Sequence, residues 1–528
     1  MQSVNLTIPP EAAASPENLR HAAAAALRML PNELGLVQLV RRSVDARHRP
    51  PMLQLQVNVY EKDEALTEDF RAQFAYKEVG GCPPVIVVGA GPAGLFAALR
   101  LLEQGLKPII IERGKSVAER KLDIARIARQ HTVDAHSNWC FGEGGAGTYS
   151  DGKLYTRSTK RGNVERVLQQ LVMHGANPDI LLDTHAHIGT DKLPAIIAAI
   201  RKTIVDCGGE YRFGTHVRDL MLRNGAVVGV LDAHGGQHCG LAVILATGHS
   251  ASDVYELFAS RRWAIEAKPY ALGVRVEHPQ QLVNEIQYHG SRYSPLLPPA
   301  SYSLTAQVEG RGVFSFCMCP GGIVVPAATA EGEVVVNGMS NSQRSSPFAN
   351  AGVVAQVNTG ADLRGFEEHG ELVGLRFRQR VEQAMFAAGD APLAAPAQRL
   401  SDFVRGKFSA SLCKTSYLAG VTSAPLHELL PAFISHSLRR ALVEFDKKMH
   451  GYLTEEAVLL GVESRSSSPV RIPRDPHTMQ HPQLRNLYPC GEGAGYAGGI
   501  TSSAVDGVAV AEAIFRSREA FTNAMNSG

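Results

Sequence analysis

Cysteine is sparse, with eight residues in a chain of 528. That is too few for a secreted disulfide framework. Neither sign of charge dominates: 53 Lys and Arg face 51 Asp and Glu, a formal +2. The overall charge therefore points neither to nucleic acid nor to an anionic surface. No apolar run approaches the roughly eighteen residues of a membrane-crossing helix. The start, MQSVNLTIPPEAAASPENLR, has no basic leader and no apolar h-region, so no signal peptide is expected. Cys and His do not cluster at metal-ligand spacing, and no Ser-His-acid order stands out. No metal site is expected, and no catalytic residue is assigned. What remains is an ordinary globular composition, 45% hydrophobic and 20% charged, expected in the cytoplasm.

The first 80 residues read as a separate small unit of β-α-β-β order. VNLTIP is strand-like, and PENLRHAAAAALRML is helix-like, with Ser15 as N-cap and Pro16 at the first position. LVQLVRRSVDAR and MLQLQVNVYE read as two further strands, the second placing Leu53, Leu55, Val57 and Val59 on one face. Arg41, Arg42, Arg47, His48 and Arg49 form a basic segment: an RNA-binding face or, preferred, a solvated strand end. The unit carries ten acidic and nine Lys or Arg residues, so it is not basic as a whole. VGGCPP reads as a linker.

The main unit opens with VIVVGAGPAGLFAALRLLEQGLKPIIIERG, residues 85–114. An apolar strand enters Gly89-Ala-Gly91-Pro92-Ala93-Gly94, a helix follows, and a second strand ends at Glu112-Arg113. This strand–GxGxxG–helix context with an acid about twenty residues on is the dinucleotide fingerprint. Gly89 makes the turn, Gly91 admits a pyrophosphate to the helix N-terminus, and Gly94 lets helix and strand pack. Glu112 is expected on ribose hydroxyls.

The fingerprint does not separate NAD from FAD; later segments do. Residues 211–251 read as short strands joined at Asn224-Gly225 and Gly235-Gly236, then an apolar strand into Ala246-Thr247-Gly248. Near the end, an apolar strand reaches Gly491-Glu492, followed by a glycine-rich turn through Gly499-Ile500-Thr501 and a helix. This order resembles FAD-binding oxidoreductases of the glutathione-reductase structural type. The resemblance implies a Rossmann-like α/β fold, adenine against the backbone of Val217, and a ribityl contact at Glu492, where that pattern usually has Asp.

Seven stretches, SVDAR, VVGAGPAGLFAAL, FGEGGAGTYSDGKL, ILATGHSA, FSFCMCPGG, GVESRSSSPVRIPRD and LYPCGEGAGYAGGI, resemble together the NAD(FAD)-utilising, FAD-dependent dehydrogenases of bacteria and plastids. The resemblance spans the chain and brings no substrate. It implies FAD as cofactor and NAD(P)H as electron partner. No second strand–GxGxxG–helix pattern supplies a dedicated nicotinamide domain.

Between Gly142 and Gly152 the chain packs five glycines into eleven positions. Gly142, Gly144, Gly145, Ala146 and Gly147 are expected to cradle the cofactor through backbone N–H groups. The alternative is a mobile lid over a substrate cleft. Ser150 and Lys153 stand in reach of phosphate or substrate, or are merely solvated. Cys317 and Cys319 are read as strand packing residues, with a pocket role second and a redox disulfide or metal site behind. Arg465 is either a buried anion binder or part of a surface loop.

The expected organisation is an N-terminal domain over 1–80, the first part of the FAD-binding domain over 81–260, an inserted α+β substrate domain over 261–430, and the rest of the FAD-binding domain over 431–528. The expected function is an FAD-dependent oxidoreductase transferring hydride to or from a small molecule. A flavin monooxygenase, or an RNA-modification or assembly factor docking through residues 1–80, is the alternative. No membrane partner is expected.

Overall fold

The structure is a computed structural model that describes residues 1–62, 64, 69–156, 162–290 and 295–526. The N-terminal unit is an antiparallel sheet in the order Gln2–Ile8, Met52–Val59, Val37–Asp45, covered by helix Pro16–Leu27. The Ser15 hydroxyl accepts from the Asn18 N–H at 3.1 Å and starts that helix. Leu55, Val57 and Val59 enter the small core, with Leu53 against it. The basic strand end is neither a free face nor fully solvated. Arg42 pairs with Asp183 at 2.7 Å, and its N–H donates to the Leu182 carbonyl at 2.8 Å. Arg41 donates to Thr184. This edge docks the unit on residues 179–184, leaving Arg47 in solvent.

A five-stranded parallel sheet carries the fingerprint, in the order Leu487–Pro489, Val243–Leu245, Pro84–Val88, Lys107–Ile111, Glu210–Arg212. Its strands are near-continuous apolar runs because both faces are covered, one by helices and the other by a three-stranded meander with helix Ser252–Arg261. Helix Pro92–Glu103 buries nine of its residues and crosses helix Ile500–Asn526. At the crossing, any side chain on Gly507 would collide with the Ala93 carbonyl. A three-stranded meander, Val217–Arg223, Ala226–Asp232 and Gln237–Cys239, turns at Asn224 (φ 50°) and Gly225 (φ 73°). Two positive φ values in succession suit a tight hairpin turn.

The second unit is a seven-stranded sheet whose central strands are Phe348–Val357, Tyr270–Pro279 and Val458–Glu463. The expected boundary at residue 430 is therefore too early. Helix Ala432–Lys448 drives Leu438, Leu442 and Phe445 into this core, and Val458–Glu463 pairs with Tyr270–Pro279. A short apolar run such as VLLGVE carries no local mark of which sheet will take it.

The glycine-punctuated strands of residues 312–340 divide between two sheets. Arg311–Cys319 joins the large sheet, while Gly322–Pro326 and Val336–Ser340 form their own hairpin. The cause is local. Phe316 faces Gly352, but Cys319 faces Asn350, so the strand carries one extra residue. Cys317 in that bulge has φ 44°, and Gly321 follows at φ 51°. Such a bulge bends the strand and re-aims its side chains. Among the described residues no helix is long and apolar enough to cross a membrane.

Candidate FAD site

A cavity of about 640 Å3 is lined from both larger units. That size suits a cofactor-bearing cleft. One end is built by the fingerprint. Gly89 turns the chain at φ 105°, and a side chain there would meet the Ala246 carbonyl carbon at 2.9 Å. Gly91 is the N-cap of helix Pro92–Glu103, and no side chain caps it. A Cβ on Gly91 would meet only the Gly145 Cα, at 3.9 Å, and would point into the cavity. The uncapped amides and the dipole of this helix end suit phosphate. Gly248, Gly498 and Gly499 likewise border open space. The first turn of helix Ile500–Asn526 brings Gly498, Gly499, Ile500 and Ser503 to the wall. Two helix N-termini and a set of open glycines thus fit a long dianionic cofactor.

Glu112 lines the cavity and is 5% exposed. Its Oε2 accepts from Ala90 N–H at 2.9 Å, and its Oε1 accepts from Gly114 and Gly142 N–H at 2.9 and 3.1 Å. The carboxylate therefore ties three loops together, with one Oε2 lone pair left for a ribose. Arg113 pairs with Asp253 at 2.9 Å and lies over the Phe141 ring. Burial pushes the Asp253 carboxyl up, but the His216 hydrogen bond and the Arg113 charge prevail and hold it at about 2.

Pro92, Ala93, Gly145, Ala146, Gly147, Val217, Ala246, Thr247, Gly248 and Glu492 all reach the wall. Gly94, Gly142, Gly144, Gly491, Thr501 and Cys319 are not among its lining residues. Each has a packing role instead. Gly94 lies under the Gly89 carbonyl, and Gly142 at φ 115° leaves 2.5 Å between its missing Cβ and the Arg120 Cδ. Gly144 fits between Thr148 and Ile197. The Gly491 N–H donates to Asp506 at 2.7 Å, and Thr501 donates to the Leu154 carbonyl at 2.8 Å. Half of the glycine loop is thus shaped by protein. Arg120 is fully buried and donates to the Asn138, Trp139 and Glu143 carbonyls.

The far end of the cavity is walled by charge. Arg465 is 9% exposed, which excludes the surface loop. Its guanidinium donates to Thr329 at 2.7 Å, Glu333 at 3.1 Å and Glu382 at 3.2 and 3.3 Å, so four of its five donors are used on protein. Cys317 and Lys153 line the wall near Phe316 and Asn337. His249 and Ser250 are lining residues that the sequence reading missed. His249 Nδ1 stands 3.4 Å from the Glu492 carboxylate, while its Nε2 is buried without a partner. The glycine just before His249 was the available signal. Among the described residues no group of three His, Cys, Asp or Glu is placed to hold a metal.

Comparison with known proteins agrees with this geometry. Residues 84–125 match the family described as FAD binding domain. Residues 269–466 match the FAD-dependent protein, C-terminal domain-like family, and residues 1–60 match a domain of unknown function. FAD is therefore the cofactor of this protein. It belongs to one family with a Clostridium beijerinckii chain titled "Uncharacterized protein", to which it is 38% identical over 506 residues, covering 92% of this chain and 94% of that one. A thiamine thiazole synthase of Methanococcus maripaludis is 25% identical over 184 residues, 33% of this chain and 59% of that one. Among solved structures, CtdE in complex with FAD is similar at 12% identity and TM-score 0.31, covering 82% and 84% of the two chains. Halogenase PltM is similar at 10% identity and TM-score 0.38, covering 84% and 70%.

Proposed function

We propose that the protein is a dehydrogenase or reductase that moves hydride between a small-molecule substrate and FAD, with NAD(P)H as the electron partner. The observation that carries this reading is the continuity of one cavity from the Gly89–Gly91 turn to the charged wall at Lys153 and Cys317. Bound FAD supplies two-electron chemistry, and the protein supplies binding, orientation and electrostatics.

In this reading Gly91, Ala93 and the Gly145–Gly147 backbone hold the pyrophosphate, and Glu112 accepts from the ribose. Val217 borders the adenine, and Ala246-Thr247-Gly248 with Glu492 flank the ribityl chain. Gly499 and Ile500 bring the positive end of the last helix to where negative charge gathers on reduction, which favours the reduced state. The second unit closes the cleft and excludes water with Phe316 and Asn337. The substrate is a small molecule, and the setting is the cytoplasm. Anaerobic titration tests the reading: NADPH or NADH bleaches the flavin absorbance, and little oxygen is consumed in air beyond slow reoxidation. Strong oxygen uptake coupled to NADPH would assign a monooxygenase instead.

A further inference from the structure

The cavity wall holds one group for which FAD binding has no use. Lys153 Nζ lies 4.0 Å from Cys317 Sγ and 3.8 Å from Cys319 Sγ, and it also donates to the Met318 carbonyl. Its ammonium sits 3.6 Å from Asp151. Asp151 is itself taken by Arg344 at 3.2 Å and by the Ser340 hydroxyl. Behind the sulfurs, Arg275 is fully buried and pairs with Glu463 at 2.7 Å. Arg275 also donates to the Cys317 carbonyl at 3.4 Å. The cations Lys153, Arg275 and Arg344 therefore stand near the carboxylates Asp151 and Glu463, and the buried Glu277 also feels the charge of Arg275. His187 beside Arg344 is pushed down by burial and adds no charge near neutrality. The Cys317 sulfur lies against one of these cations, the Lys153 ammonium.

The two cysteines are not equivalent. Cys319 is fully buried and directs its thiol at the Cys317 carbonyl, 3.3 Å away. Cys317 sits in the bulge at φ 44° and lines the cavity. The neighbouring Cys319, then the Lys153 and Arg275 charges, hold the Cys317 thiol well below the ordinary value against desolvation. Burial pushes the Lys153 ammonium down, but the neighbouring sulfurs and Asp151 outweigh this and raise it. An electropositive, cavity-facing setting is what makes a thiol reactive.

We propose that Cys317 is a nucleophilic residue of this cavity, a thiolate paired with the Lys153 ammonium, and that it adds to an electron-poor carbon of an unsaturated carbonyl substrate. The sulfur lone pair forms a C–S bond at the carbon distal to the carbonyl. The carbon–carbon π pair becomes a new double bond to the carbonyl carbon, and the carbonyl π pair moves onto its oxygen, giving an enolate. The Lys153 ammonium gives the enolate a proton and is restored from water. No electrons are lost or gained, so no oxidant is needed. The assignment does not depend on the direction of hydride transfer.

The test treats the flavin-loaded protein at pH 6 with N-ethylmaleimide, an unsaturated carbonyl, and separately with iodoacetamide, where a C–S bond forms and iodide leaves. Peptide mass mapping gives the rate at each cysteine, and absorbance gives flavin content in the same samples. Cys317 is expected to react at least about tenfold faster than the exposed Cys239, the ratio that one unit of thiol pKa gives. Lys153→Met should slow Cys317 by a similar factor at pH 6 and much less at pH 9. Lys153→Arg should keep most of the rate, which separates charge from folding. Equal rates at Cys317 and Cys239, or a Lys153→Met rate unchanged at pH 6, would overturn the proposal. So would labelling that appears only after FAD is stripped, because Cys317 would then face the cofactor. Flavin content unchanged across these samples keeps the FAD reading separate from the outcome.

Discussion

The two ends of the cavity are built from different materials. At the fingerprint end the wall is backbone: Gly91, Gly248, Gly498 and Gly499 border open space, and two helix N-termini point inward. At the far end the wall is side chains, Lys153, Phe316, Cys317, Asn337 and Arg465, backed by buried ion pairs of Arg275 with Glu463 and of Arg465 with Glu333 and Glu382. The first kind of wall binds a ligand's charge with groups that need no counterion and do not titrate. The second kind fixes a shape and a field, and each member depends on its partner. The first end therefore suits a constant cofactor, and the second suits discrimination among substrates.

Breaking each end should give distinct phenotypes. Glu463→Ala is expected to cost the most, about 3–5 kcal/mol of unfolding free energy, because it leaves a buried Arg275 without its counter-charge. Denaturant unfolding of the flavin-free protein measures it. A cost near zero would mean that the far wall is not held by this pair. Gly91→Val should act in the opposite way. Its side chain enters empty space, so the flavin-free protein stays folded while FAD affinity falls more than about 100-fold, near 2.7 kcal/mol. Flavin content after desalting and equilibrium titration read this directly. Full flavin content would remove the fingerprint from the cofactor. Glu112→Ala lies between these cases, since its carboxylate serves both the loops and a ribose. Stability and FAD affinity should each drop by about 1–3 kcal/mol as three backbone N–H groups lose their acceptor. Loss of affinity alone would mean that Ala90, Gly114 and Gly142 find other partners.

The same contrast explains what could be read in advance. The fingerprint end was legible because its determinants are local: Gly89, Gly91 and Gly94 lie within six positions, with Glu112 one strand further on. The β-α-β-β unit was legible for the same reason, through Ser15, Pro16 and the alternation from Leu53 to Val59. The far end was not, because its pairs are distant in sequence. Arg275 and Glu463 are 188 residues apart, and Arg465 and Glu333 are 132 apart. Nothing in ESRSSSPVRI shows that Arg465 will be spent on two acids. Glycine density misled for a related reason. Gly142 and Gly144 are required by Arg120, Thr148 and Ile197, none of which a reading of the loop alone would place there. The bulge at Cys317 was hidden because a positive φ at a non-glycine is imposed by neighbouring strands.

The smallest expected effect concerns proton balance in the far wall. Glu333 and Glu382 both face Arg465, and Arg378 stands 3.6 Å from Glu382. Burial, then repulsion from Glu382, raises the Glu333 carboxyl to about 7, while the two arginines hold Glu382 low against its own burial. An acid whose folded value lies above its unfolded value binds more protons when folded. Its contribution to stability is then fully present at low pH and is lost as pH rises from the unfolded value, near 4.5, to about 7. Above that range the contribution stays flat. Glu333→Gln keeps the size of the side chain and removes the titration. The difference in unfolding free energy between wild type and Glu333→Gln should therefore shift against the wild type between pH 5 and 7, by about 1 kcal/mol or more, and stay constant at higher pH. Parallel denaturation series at several pH values measure it. A difference independent of pH would place the shared proton elsewhere in the cluster, and a difference that favours the wild type as pH rises would mean that Glu333 is held ionised by Arg465.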